Sequence, residues 1–247
     1  MHSSESLLIV AAVFLLAGWV KGVVGMGLPT VAMGALGLVM APVQAAALLV
    51  IPSLVTNVWQ FVAGPAKRII ARRLALMRAF VCIGTAIGIL FLTSGSSRWP
   101  SVALGTVLAV YSLAALFLPR LSVPPGLERK MSPAIGVITG ILAGATGVFV
   151  VPAVPYLSAL QFSKDELIQA LGLSFTVSTI ALGVALGASG SYPPGILLMS
   201  LAAVVPALAG MFVGQRMRDR IPPDAFRRWF FVAMLLVGCY MVGRALT

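Results

Sequence analysis

An all-α polytopic membrane fold is predicted by three observations. Hydrophobic residues make up 60% of the 247-residue chain and charged residues only 9%, against roughly 45–50% and 25% in ordinary soluble domains. Mean hydropathy is +1.07. The charges that exist gather in short basic clusters between apolar runs, as in the loops of a multi-pass membrane protein. A soluble enzyme, a disordered chain and a disulfide scaffold are excluded, because so little charge cannot cover a water-exposed surface.

The elements follow in order. Residues 6–20 are apolar and run into a glycine-rich break, Gly22-Val23-Val24-Gly25-Met26-Gly27-Leu28-Pro29, after which 30–40 is a short apolar run. With no Lys or Arg before it, the first run reads as a retained membrane segment rather than a signal peptide. At about 20 residues per crossing, three runs long enough to span follow at 43–63, 74–93 and 102–118, and then a polar, proline-containing linker at 119–131. The order restarts. Residues 133–146 are apolar and break at Gly144-Ala145-Thr146-Gly147, and 148–160 is a short run interrupted by Pro152 and Pro155. Runs at 167–187, 194–213 and 226–242 again span.

Residues recur with the segments. Gly22 and Gly25 stand 122 positions before Gly144 and Gly147, while Gln44-Ala45 and Ser53 stand 125 before Gln169-Ala170 and Ser178. The expected organisation is two inverted repeats, 1–118 and 132–247, each a glycine-broken re-entrant hairpin (5–40 and 132–161) plus three transmembrane helices.

Charge orients the chain. Lys67, Arg68, Arg72, Arg73, Arg78, Arg120, Arg129, Lys130, Lys164, Arg216, Arg218, Arg220, Arg227 and Arg228 fall in loops that the positive-inside rule places in the cytoplasm. Arg98 and Arg244 fall on the other side, and Lys21 lies in the first break. The 119–131 linker and the loop before 167 are then both cytoplasmic, so 132–161 returns to the side it left. Residues 133–146 make only about 21 Å of helix against a core about 30 Å thick, which favours a hairpin over two crossings. An odd number of crossings per repeat inverts the second copy. The net charge of +11 is not interleaved with aromatics, so no nucleic-acid partner is expected and the bilayer is the surrounding.

Broken helices deep in a membrane persist only where protein or a wet cavity surrounds them, and their half-helix starts present N–H groups to anions. The breaks therefore supply the first candidate site residues: Gly22, Gly25, Gly27 and Pro29 in one half, Gly144, Gly147 and Val148 in the other. Lys21 is the charge away from the segment flanks, and the six acids (Glu5, Glu128, Asp165, Glu166, Asp219, Asp224) lie at segment ends or in loops. An intramembrane cation without a partner marks a substrate path; the competing reading is a lysine snorkelling to the surface. Ser53, Thr56, Asn57 and Gln60, and in the second half Ser174, Thr176, Ser178 and Thr179, recur at helical spacing. Of these, Thr56, Asn57, Gln60, Ser174 and Ser178 are the expected substrate contacts. Gly18-x-x-x-Gly22, Gly84-x-x-x-Gly88, Gly136-x-x-x-Gly140-x-x-x-Gly144 and Gly210-x-x-x-Gly214 are helix-packing patterns. Cys82 and Cys239 are expected as inert buried thiols. No cofactor, metal or catalytic set is expected: His2 is the only histidine, although Gly187-Ala188-Ser189-Gly190 looks like a serine-protease motif, and no phosphate-binding loop for ATP is present.

The chain resembles the TauE/SafE family of sulfite-exporter-like permeases. The likeness rests on Gly22–Pro29, Ala45-Ala46 and Thr56-Asn57-x-x-Gln60, with a second copy around Gly140–Pro152 and Gln169–Ser178. The second half departs from Thr-Asn-x-x-Gln, having Ser174–Thr179 instead. The resemblance implies transport of sulfite, sulfoacetate or another small sulfur-containing or organic anion. With the anion site read from the breaks, the expected protein is a secondary transporter of a small anion in a bacterial inner membrane, driven by an ion gradient or the membrane potential. A passive anion channel is the alternative. Substrate, direction, coupling ion and oligomeric state are not legible in the residues.

Overall fold

In hydrocarbon a backbone satisfies its own hydrogen bonds only as a helix or a closed barrel, and the apolar runs here fold as helices. The computed structural model describes residues 3–94, 98–117, 122–218 and 220–246. His2, Arg120 and Asp219 lie outside them, as do the side chains of Glu5 and Asp224. The helices are α1 (Ser3–Val24), α2 (Leu28–Leu36), α3 (Pro42–Val62), α4 (Lys67–Arg73), α5 (Ala75–Leu92), α6 (Arg98–Phe117), α7 (Pro125–Thr146), α8 (Ala153–Ala159), α9 (Lys164–Ala188), α10 (Ile196–Met217) and α11 (Pro223–Leu246). Seven of those described are long and apolar enough to cross a membrane: α1, α3, α5, α6, α9, α10 and α11.

The two broken segments have unequal arms. The long arms, α1 and α7, are 22 residues each, about 33 Å of helix. The return arms are short, nine residues in α2 and seven in α8. The apolar pattern marked shorter first arms because it stopped at Lys21 and at Pro133. Helix continues past Lys21 to Val24, and α7 begins within the polar stretch at Pro125, a residue suited to a first helical turn. The 125–160 segment does return to its starting end. Val123 N–H donates to the Ala159 carbonyl (3.0 Å), and Gln161 Nε2 donates to Ser122 Oγ (3.0 Å).

Glycines set the tightest contacts. α1 lies along α10, where a methyl group at Gly18, Gly22, Gly210 or Gly214 would overlap a carbonyl oxygen of the facing helix: Ala207, Met211, Leu15 and Trp19 in turn. α7 lies along α5 in the same way, with Gly136, Gly140 and Gly144 against the carbonyls of Met77, Val81 and Thr85, and Gly84 and Gly88 against those of Val137 and Ile141. Both pairs run parallel, since residue numbers rise together along each contact. Thus the first arm of each half packs on the other half of the chain. α3 and α9 cross antiparallel at the centre, and α6 meets α11 through Gly105 and Gly238.

The end of the bundle that carries Lys67–Arg73, Lys130 and Lys164 is tied by one polar clasp. Arg73 makes a bidentate pair with Glu128 (2.8 Å to each oxygen), donates to the Leu160 carbonyl (3.0 Å) and lies 4.4 Å from the Phe162 ring centre. Glu128 holds the Arg73 guanidinium above its ordinary pKa, chiefly by that hydrogen bond. One sequence expectation is overturned: Cys82 and Cys239 are both exposed on the bundle surface. Their apolar surroundings in sequence are the outward stripes of α5 and α11, which face lipid rather than core.

Candidate functional site

Lys21 sits in the last turn of α1 and is 1% exposed. Its ammonium donates to Asn57 Oδ1 on α3. From there a one-way chain of hydrogen bonds follows. Asn57 Nδ2 donates to Ser53 Oγ (3.0 Å), Ser53 is 3.2 Å from Thr179 Oγ1 on α9, and Thr179 donates to its own-helix carbonyl at Phe175 (2.7 Å). Since Thr179 gives its single proton to Phe175, Ser53 must give its proton to Thr179. Each hydroxyl in the chain has therefore spent its donor on protein. Spare donors remain on the two nitrogens at its start: Lys21 has three N–H groups with one directed at Asn57, and Asn57 Nδ2 has a second N–H beyond the one given to Ser53.

The helix crossing places this chain in depth. Ser53 and Thr179 stand near the middles of α3 and α9. Asn57 lies about 6 Å nearer the basic end, and Gln60 about 4.5 Å beyond it, at 1.5 Å per residue. Gln60 Nε2 donates to the carbonyls of Gly25 and Ile168, both at 2.7 Å. This anchors the first break to α3 and α9 one turn from Lys21.

The sequence-predicted residues separate into distinct roles. Lys21, Asn57 and Gln60 come together with the break at Gly25. Gly25 and Gly27 have φ of 80° and 105°, conformations that suit glycine, and Gly27 precedes α2 as its N-cap with no side-chain cap, Pro29 following within the first turn. Thr56 is turned back on its own helix, donating to the Pro52 carbonyl (2.8 Å). Gly22 and Gly144 lie in the α1–α10 and α5–α7 contacts. Gly147, with φ of 71°, packs on Met33 of α2, so the second break touches the return arm of the first. Val148 is fully buried and its N–H donates to Thr146 Oγ1 (3.2 Å). Ser174 and Ser178 are buried on α9, and no hydrogen bond joins either to the Lys21 chain; Ser174 Oγ has no partner.

Three further residues matter that sequence reasoning did not assign to the site. Thr30 Oγ1 is buried and unpartnered one residue beyond Pro29; its only sequence signal is its place in the break. Gln169 is fully buried, accepts from Ala66 N–H (2.9 Å) and donates to the Phe61 carbonyl (2.8 Å), closing the turn between α3 and α4. Ser53 links α3 to α9, and its recurrence as Ser178 was the visible clue. The site is one-sided: the separation that pairs Gly22 with Gly144 pairs Lys21 with Ala143, and the one that pairs Ser53 with Ser178 pairs Asn57 with Leu182.

Seven helices long and apolar enough to cross a membrane, packed around a buried lysine, fit a multi-pass membrane protein. The sulfite exporter TauE/SafE family model matches residues 10–241, and the chain belongs to that family. No curated protein and no solved structure matches. The protein is accordingly a membrane permease of a family whose substrates are sulfite and small anions.

Proposed function

We propose that this permease is a secondary transporter moving sulfite or an organosulfonate such as sulfoacetate across the bacterial inner membrane by alternating access. The observation that carries the reading is Lys21: a buried ammonium with one neutral acceptor and spare donors, at the start of a hydrogen-bond chain whose hydroxyls have spent theirs. A buried charge so placed calls for a counter-charge, and a bound anion supplies it. The uncapped start of α2, beside the last turn of α1 at Val20, adds the positive end of a helix on the same side. Thr30 in the first half and Ser174 in the second each keep a buried hydroxyl with no protein partner.

The inverted-repeat reading draws support from the packing. Gly18 and Gly22 stand 122 positions before Gly140 and Gly144, and Gly84 and Gly88 stand 126 before Gly210 and Gly214. Each set forms the equivalent contact, α1 on α10 and α7 on α5, with the two pairs pointing toward opposite ends. Under this reading the bodies that rock are the glycine-packed pairs, each drawn from both repeats, and the α3–α9 crossing at Ser53 and Thr179 is the pivot. The test is counterflow in vesicles loaded with sulfite, sulfoacetate, taurine or acetate. Saturable exchange that disappears in Lys21→Gln is expected. Exchange by the variant at the parent rate rejects the Lys21 site, and conductance near ionic diffusion rates would make the protein a channel.

A further inference from the structure

A helix start buried in protein holds backbone donors that the helix itself cannot pair, and the start of α2 is one. Gly27, Leu28, Pro29 and Thr30 are all buried. The backbone ladder of α2 begins with Val31 N–H donating to the Gly27 carbonyl (2.8 Å). The N–H groups of Leu28 and Thr30 stand ahead of it, Gly27 brings no side chain to cap them, and Pro29 has no N–H of its own. A second observation lies in the same turn: Thr30 is 1% exposed and its Oγ1 has no hydrogen-bond partner. Thr56, Thr85, Thr146, Thr176 and Thr179 each donate to the carbonyl four residues back. Thr30 has only Met26 four back, outside the helix, and its hydroxyl stays unspent. Side-chain bonds in a helix lean toward its amino end, so this hydroxyl lies over the turn that holds those N–H groups.

The break brings this turn to the depth of the Lys21 chain. Gln60 fixes the Gly25 carbonyl (2.7 Å), and Gly27 lies against Val20, the neighbour of Lys21. Because α2 ends where α3 begins, the step from Gly27 on to Thr30 and the step from Gln60 back to Asn57 run the same way, three residues or about 4.5 Å of helix each. Thr30 and Asn57 therefore stand at about the same depth. The negative end of α1 is answered locally, by Gly25 N–H on the Lys21 carbonyl (2.7 Å) and Arg218 Nε on the Val23 carbonyl (3.0 Å). The positive start of α2 is left to act on the site.

We propose that the first turn of α2 is the specificity element of the Lys21 site: the Thr30 hydroxyl, with the amides of Leu28 and Thr30, receives an oxygen of a sulfite or sulfonate head and selects it over a carboxylate. The inference rests on the Lys21 reading and adds to it the part that tells one anion from another. Donors come from two sides, the spare N–H groups of Lys21 and Asn57 on one and the α2 turn on the other. A sulfur head carries three oxygens along separate axes and can reach both. A carboxylate carries two in one plane, and pairing them with Lys21 leaves the α2 donors buried and unmet. A site built to hydrogen-bond a group rejects the analogue that lacks it.

The test is calorimetric titration of ethanesulfonate and of propionate into the purified full-length protein in detergent. The two anions share a charge and an ethyl tail and differ in the head. The parent is expected to bind ethanesulfonate about tenfold more tightly or better. Thr30→Val keeps the shape and removes the hydroxyl; it should lower that ratio by about fivefold or more, the lower end for one lost buried hydrogen bond. Thr30→Ser should restore it. The melting temperature of ligand-free Thr30→Val should equal or exceed the parent's, since an unpaired buried hydroxyl has been removed; a clear drop would show the hydroxyl already spent on protein and overturn the proposal. Should Thr30→Val misfold, Thr30→Ala carries the same comparison. A parent without preference for ethanesulfonate, or a folded Thr30 variant lacking the hydroxyl that keeps the parent's ratio, also overturns it. Failure of the Lys21 reading looks different: Lys21→Gln then binds both anions as the parent does, where loss of both is expected.

Discussion

Asn57→Asp isolates the electrostatic argument, because it changes charge and almost nothing else. The new carboxylate takes the place of the amide oxygen that already accepts from Lys21. Asn57 also donates to Ser53; a carboxylate cannot, so Ser53 turns its proton from Thr179 to Asp, at the cost of the 3.2 Å contact between the two hydroxyls. Lys21 then has an internal counter-ion. At 4 Å and an effective dielectric constant near 20, two unit charges attract by about 4 kcal/mol, or about three decades of affinity. Desolvating the carboxylate takes back part of this, which leaves an expected loss of anion affinity between about tenfold and a thousandfold, with thermal stability equal to or above the parent. Counterflow and direct binding in the same preparation read it. A correctly folded Asn57→Asp protein that transports with an unchanged KM would refute the idea that Lys21 is the anion's counter-charge.

Other expectations concern the frame around the site. Gly210→Ala places a methyl group on the Leu15 carbonyl and Gly84→Ala on that of Val137; each should cost about 1–3 kcal/mol by overpacking, read as similar drops in the detergent melting temperature, and an unshifted melt would mean these helix pairs are not in close contact. Gln169→Leu leaves the Ala66 N–H and the Phe61 carbonyl unpaired, a loss of about 1–3 kcal/mol for each buried group. Rescue of that loss by Asn, whose side chain is one methylene shorter, would argue against the span given to Gln169. Cys82 and Cys239 should resist a charged, membrane-impermeant maleimide in intact membranes and react after denaturation. Rapid labelling of native Cys239 would place its stripe of α11 against water.

Much of the architecture was legible because hydrocarbon imposes one rule on every crossing. Helices overlie all six runs read as spans, and the breaks fall at Gly25–Gly27 and after Thr146, where glycine adopts positive φ. Arm lengths were harder. Apolar counting stops at a lysine, but a helix does not when the lysine faces protein, and α1 therefore runs on to Val24. Gly22 and Gly144 show the other ambiguity: glycine serves close backbone approach both to a ligand and to a neighbouring helix, and only the facing carbonyls of Met211 and Thr85 distinguish the two. Thr56, Asn57 and Gln60 were readable as a polar stripe. That Gln60 commits both its donors to protein was not, since their direction depends on the Gly25 and Ile168 carbonyls, 35 and 108 residues away.

The exchange of first arms bears on how the chain is made. Leu15 and Trp19 emerge early, yet the Gly210–Gly214 groove that receives them is translated about two hundred residues later. Until then the small-residue face of the nascent α1 is unmatched, so the first helix completes its packing only when the tenth has been made.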